Sequence, residues 1–270
     1  MSNILILDND ECLGYFGLLN GIYNGCIRYL FKTQLHNIEI QDKFSKIFID
    51  FSIELLVAGY ARKDLFLFFE RIKLLKCKGI VQKVVMMTSN CRYIKKRYKG
   101  YFDWVNTMRD IFEKYANLHT NYSTISIYDL DYSCRNDEEN CIKSKDNGTI
   151  KKISKIIEKL QIKDYTSVRK IICIDDRIKN YDYEDISDNI KVITIPVRPY
   201  FSLISKTVFY AIISKYEHIF QELTIINFKE ICIINFNHDV KEMGMHGNRL
   251  FTKIKNDNDL DIDLQKIFSM

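Results

Sequence analysis

The stretch LILDNDECL places two aspartates, Asp8 and Asp10, one residue apart at the end of the apolar run Ile4–Leu7. Carboxylates that close repel each other and resist burial, so the pair asks for a cation. Three further stretches carry groups that could complete the same site. Thr88, Ser89 and Asn90 follow a run ending at Met87, Lys151 and Lys152 sit in GTIKKISK, and Asp175, Asp176 and Arg177 follow the run Lys170–Ile174. Brought to one point, Asp8, Asp10, Asp175 and Asp176 make four carboxylates beside a hydroxyl and an ammonium. Four carboxylates without a counter-cation are prohibitively repulsive. A donor set of oxygens, with no thiolate or imidazole group, favours Mg²⁺ over zinc. Spacing alone does not separate Lys151 from Lys152.

Such groups meet only if one sheet presents them at one edge. The runs Ile4–Leu7, Lys83–Met87, Thr124–Tyr128, Lys170–Ile174, Lys191–Pro196 and Glu230–Asn235 read as buried strands. Amphipathic helical stretches lie at Lys63–Lys76, Asp103–Tyr115, Ile150–Leu160 and Phe201–Leu223. This alternation predicts an α/β fold with a Rossmann-like central parallel sheet flanked by helices. In such a sheet, ligands sit beyond the carboxyl ends of the strands. Tyr15–Gly59 fits the alternation poorly and predicts a mostly helical insertion after the first strand, either a cap or an added helical layer. The chain therefore divides into an α/β core at 1–14 and 60–200, the insertion at 15–59, a helix-and-strand extension of the core at 201–255, and an acidic tail at 256–270.

The ordered set resembles the haloacid dehalogenase (HAD) superfamily of phosphotransferases. LILDNDECL is most similar to the first motif of the FCP/SCP-type, NLI-interacting-factor-like phosphatases, a strand followed by D-L-D-E-T-L. ARKDLFLFFERIKLLKCKGIVQKVVMMTSN resembles the helix of that family leading into its threonine strand, and the likeness runs on through GTIKKISK to IICIDDR. The chain departs from the family at Cys12, where a threonine is usual, at Asp176, where an asparagine is usual, and at Arg62-Lys63, where a proline is usual.

The resemblance implies a HAD fold and Mg²⁺-dependent hydrolysis of a phosphomonoester. Asp8 would attack phosphorus to form an aspartyl-phosphate, and Asp10 would act as general acid and then general base. Mg²⁺ would be held by Asp8, the Asp10 backbone carbonyl and Asp175 or Asp176. Thr88 and Ser89 would bind the phosphate, and Lys151 would neutralise developing charge. The substrate class it implies is phosphoserine or phosphothreonine in an extended protein segment. Were 15–59 a lid, a small metabolite or a nucleotide would fit better, and Arg92 to Lys99, if it lines the entrance, also allows a nucleic-acid end. A catalytically silent HAD-like module that binds or scaffolds a phosphorylated partner is the alternative of another class.

Composition narrows the field. The chain has 270 residues, 47% of them hydrophobic, so a well-filled core is expected. The 40 basic and 35 acidic residues leave a net charge of +5, too balanced for a dedicated duplex-DNA binder. The basic run RYIKKRYK, Arg92 to Lys99, could face a phosphorylated ligand, so nucleic acid is an open partner class but not the favoured one. No apolar stretch reaches membrane-spanning length without charge. The eight cysteines form no C-x-x-C pair, and the N-terminus shows no secretory pattern. An intracellular protein, cytoplasmic or nuclear, with free thiols is expected. The triplet D-x-D recurs at Asp129–Asp131 and at Asp257–Asp259, but only the N-terminal copy has the threonine strand, the lysine and the aspartate pair after it in order.

Overall fold

The computed structural model of the chain describes residues 2–9, 12–14, 16–33, 37–88, 102–118, 120, 122–133, 151–162, 167–197, 200, 204–250 and 267. Five strands form one parallel sheet: β1 (Ser2–Asp8), β2 (Lys83–Thr88), β3 (Leu130–Ser133), β5 (Val168–Asp175) and β7 (Lys191–Pro196). Their order is β3-β2-β1-β5-β7. Two very short strands, β4 (Lys151–Lys152) and β6 (Tyr181–Asp182), pair with each other in parallel. The helices are α1 (Gly17–Thr33), α2 (Ile38–Leu55), α3 (Leu65–Cys77), α4 (Trp104–Ala116), α5 (Ile153–Lys159), α6 (Lys206–Glu222) and α7 (Phe228–Leu250). The chain is thus α/β with a parallel sheet flanked by helices.

The central strand explains itself by burial on both faces. Ile4, Leu5, Ile6 and Leu7 are all fully buried. Leu5 and Leu7 join the apolar cluster made with α1, α2, α3, α4, α6 and α7, whereas Ile4 and Ile6 join a smaller one with Ile153, Ile156 and Ile157 of α5. Alternation of side chains along a strand produces this division. From β1 the chain builds β2 and β3 to one side, then returns to lay β5 and β7 on the other. The direction of winding reverses between β1 and β5, which places a crevice at their carboxyl ends.

The described residues of 15–59 are mostly helical, as the sequence predicts, and they share the main core. Tyr23, Phe44 and Phe51 make ring contacts with Trp104, Tyr216, Phe220 and Phe228 at centroid separations of 5.1–6.1 Å. Of a cap and an added helical layer, this packing corresponds to the layer. One π-helical turn, Leu56–Tyr60, with Gly59 at φ 131°, leads the chain back toward β1, where Ala61 bridges Gly14.

Two expected strands are absent. Thr124–Tyr128 is irregular, and β3 begins two residues later at Leu130. Side chains of the flanking helices occupy its backbone: Glu113 Oε1 accepts from the Tyr128 N–H at 2.9 Å, and Lys76 Nζ donates to the Ser126 and Ile127 carbonyls. Asp129 then receives the Val84 N–H at 2.8 Å and pairs with Lys76, closing the start of β2 and β3. Glu230–Asn235 lies inside α7. Phe228, Cys232 and Phe236 are buried at helical spacing, while Ile234 is exposed. Close docking on α1 selects the helix: a Cβ on Gly25 would come within 2.5 Å of Ile231 Cγ2. The extension after residue 200 is therefore two helices, with no strand among the described residues. Of the acidic tail, only Ile267 is described, partly buried against the main core.

Candidate active site

Asp8 and Asp175 are the last residues of adjacent strands, and their neighbours Leu7 and Ile174 are in register. Both carboxylates are buried. With Asp176 they form a group whose oxygens lie within 4.8 Å of one another. Lys151 Nζ enters between them, 2.6 Å from Asp8 Oδ1 and 2.5 Å from Asp175 Oδ2. The Arg177 N–H donates to Asp175 Oδ1 at 2.6 Å, and the exposed Arg177 guanidinium reaches Asp176 Oδ2 at 3.3 Å.

Burial alone would push the Lys151 ammonium toward its neutral form. The charges of Asp8 and Asp175, with the hydrogen bonds they accept, outweigh that and raise its pKa well above the ordinary lysine value. Lys151 is therefore a fixed cation. Among the described residues, the buried Lys151 ammonium bonds two of the three clustered carboxylates, Asp8 and Asp175, and the exposed Arg177 guanidinium reaches the third. The excess of negative charge and the oxygen-only donor set fit a hard divalent cation, and Asp8, Asp175 and Asp176 are the residues that could hold it.

The structure separates the two lysines that spacing could not. Lys151 pairs with Tyr181 across β4 and β6 and turns its side chain onto Asp8 and Asp175, whereas Lys152 is half-buried and precedes the first turn of α5. Thr88 ends β2, one residue past Met87, which is in register with Asp8, and its side chain is buried. Thus Asp8, Thr88, Lys151, Asp175 and Asp176 all occupy the carboxyl edge of the sheet or the pair beside it. Asp10 and Ser89, the remaining expected site residues, lie outside the described residues, as does the basic run Arg92 to Lys99.

Comparison with protein-family models, with curated proteins and with solved structures finds no match to this chain.

Three residues at the site carry no sequence signal strong enough to single them out. Arg62 is buried, and its Nε donates to the Cys12 carbonyl at 2.5 Å while its backbone N–H donates to the Leu13 carbonyl. Its guanidinium lies 5.1 Å from the centre of the Tyr200 ring, whose hydroxyl is 3.0 Å from the Ala61 carbonyl and 3.1 Å from that of Gly59. The loop after β1 is braced in this way from outside. A charged residue just ahead of a helix reads from sequence as solvated, so only geometry reveals the role. Tyr181, beneath Lys151, reads equally well as an ordinary core residue. Asn9 is fully buried with neither amide atom hydrogen-bonded among the described residues, a costly arrangement directly beside Asp8.

Cys12 contributes packing. It is fully buried, its Sγ lies 3.7 Å from the Ile174 carbonyl, and burial, reinforced by Asp8 and Asp175, holds its thiol far above the usual range. The second D-x-D, at Asp129–Asp131, starts β3 at the opposite edge of the sheet and is tied up in ion pairs with Lys76, Lys83 and Arg109.

Proposed function

We propose that this chain is a Mg²⁺-dependent phosphomonoester hydrolase of the HAD type working through an aspartyl-phosphate, with phosphoserine or phosphothreonine in a protein segment as its substrate. One observation carries the reading: Asp8, Asp175 and Asp176 converge within 4.8 Å around Lys151 at the switch point of a parallel sheet. That is where phosphoryl transfer needs a carboxylate nucleophile surrounded by positive charge. The added layer formed by 15–59 supports an extended substrate, because its apolar surface is spent on the core.

An Asp8 carboxylate oxygen bonds to phosphorus as the bond from phosphorus to the leaving oxygen breaks, and Asp10 donates a proton to that oxygen. Asp10 then takes a proton from water, which attacks phosphorus, releases inorganic phosphate and restores Asp8. Lys151 stays protonated and holds Asp8 and Asp175 in place while negative charge shifts toward the phosphoryl oxygens. Thr88 offers its hydroxyl at the adjoining strand end. A Mg²⁺ held by Asp8, Asp175 and Asp176 would offset the repulsion between an anionic nucleophile and an anionic phosphate.

A second reading has its own support. The Lys151 bridge between Asp8 and Asp175 is also what a silent binding module would use to close an unused site. Hydrolysis of an aryl phosphate, with and without Mg²⁺, by the wild-type chain and by Asp8→Asn separates the two. The phosphatase reading requires turnover that depends on Mg²⁺ and disappears in the variant. Equal background rates in both proteins favour the silent module.

A further inference from the structure

We infer that Tyr181 is a positioning residue that fixes Lys151 between Asp8 and Asp175, an inference that rests on the phosphoryl-transfer reading of this site. A lysine side chain has four rotatable bonds and reaches its partners in several ways unless something confines it. Here the backbone confines its origin: Lys151 stands opposite Tyr181, and Lys152 opposite Asp182, in the parallel pair β4–β6. Two residues a side make too few hydrogen bonds to hold a strand pair alone. The side chains supply the rest. The Tyr181 ring lies 5.4 Å from Lys151 Nζ, and both residues are buried. The ammonium therefore has carboxylates on two sides and an aromatic face on a third. A ring face attracts a cation without competing for its protons, and more strongly where water is excluded. The face of the ring, rather than the hydroxyl, makes this contact.

The topology links this contact to the substrate edge. Tyr181 lies six residues after Asp175, past the single 3-10 turn Ile178–Asn180, so the segment that leaves the aspartate pair returns to grip the lysine. One stretch of chain thus sets both the acidic and the basic side of the site. Without the ring, Lys151 gains rotamers that leave Asp8, and a nucleophile held loosely loses rate in the chemical step more than in binding.

The test uses Tyr181→Phe and Tyr181→Leu, with Tyr181→Met as a second ring-free variant, each alone and combined with Lys151→Met. Hydrolysis of an aryl phosphate with Mg²⁺ and the thermal midpoint are both measured. The ring-free variants are expected to lose about tenfold in kcat with KM unchanged, and Tyr181→Phe to recover most of that loss. The midpoint should fall by about 2–4 °C more on removing the ring when Lys151 is present than in the Lys151→Met background. Equal behaviour of Phe and the ring-free variants, a loss confined to KM, or the same midpoint shift in both backgrounds overturns the inference. Background-dependent midpoint shifts in a chain that hydrolyses no phosphoester uphold the Tyr181–Lys151 contact and overturn the phosphatase reading instead.

Discussion

Asp8 and Lys151 stand 143 positions apart in the chain and meet at 2.6 Å, with both side chains almost wholly out of solvent. With Asp175 at 2.5 Å on the other side, the lysine joins the ends of two neighbouring strands into one charged centre. Such a centre is stable only while its charges are balanced, and that makes its parts separately testable.

Replacing Lys151 by Met leaves buried carboxylates uncompensated, and breaking a buried pair from one side costs about 3–5 kcal/mol. Urea unfolding should show a loss of that order, partly restored by added Mg²⁺. A loss under about 1 kcal/mol would mean the pair is not buried as described. The pH dependence has a definite sign. Burial lowers the Lys151 pKa, but Asp8 and Asp175 raise it further, to well above the ordinary value. A cation whose pKa rises on folding contributes fully below its unfolded value, about 10.4, and that contribution is lost as pH climbs through the folded value. Lys151 therefore adds a constant contribution through neutral pH and gives it up only in strong alkali, a loss that Lys151→Met should not show.

Arg62 should matter to both stability and turnover. Arg62→Met strips the Cys12 carbonyl of its buried donor, at about 1–3 kcal/mol, and loosens the backbone at Cys12 and Leu13 that follows β1. Turnover of an aryl phosphate should fall about tenfold or more. Arg62→Lys should recover little, since an ammonium cannot keep the guanidinium's place over the Tyr200 ring together with the Nε hydrogen bond. Wild-type kinetics in Arg62→Met would show that the brace has no part in the chemistry.

Thiol reactivity should divide the described cysteines sharply. Burial raises the pKa of Cys12, Cys26, Cys173 and Cys232, so thiolate is scarce at each, while Cys77 is exposed. Iodoacetamide on the native protein at neutral pH, followed by peptide mass spectrometry, should label Cys77 and spare those four. Early labelling of Cys12 would contradict its placement against Ile174.

The fold was legible wherever apolar runs are buried on both faces. The strands at residues 2–8, 83–88, 168–175 and 191–196 fall on the β-branched stretches that predict them, and the acidic ends of the first and third of these mark the site. Legibility failed where distant side chains decide the outcome. Thr124–Tyr128 has strand composition, but Glu113 and Lys76 take its hydrogen bonds. The run Glu230–Asn235 has strand composition too, but the close approach of α1 at Gly25 makes a helix the better packing. Lys151 and Lys152 are indistinguishable in sequence because their difference arises from pairing with Tyr181 and Asp182. Arg62 and Tyr181 act through contacts with residues far away in the chain, which no local pattern encodes.

Asp8, Asp175 and Asp176 lie close enough for one carboxylate oxygen of each to hold a divalent cation, as proposed above. Calorimetric titration of the protein with Mg²⁺ tests it without presuming a substrate. Saturable binding of one ion by the wild-type chain is expected, weakened by about tenfold or more in Asp175→Asn and in Asp176→Asn. Absence of binding to the wild-type protein, or the same affinity in both variants, would contradict it.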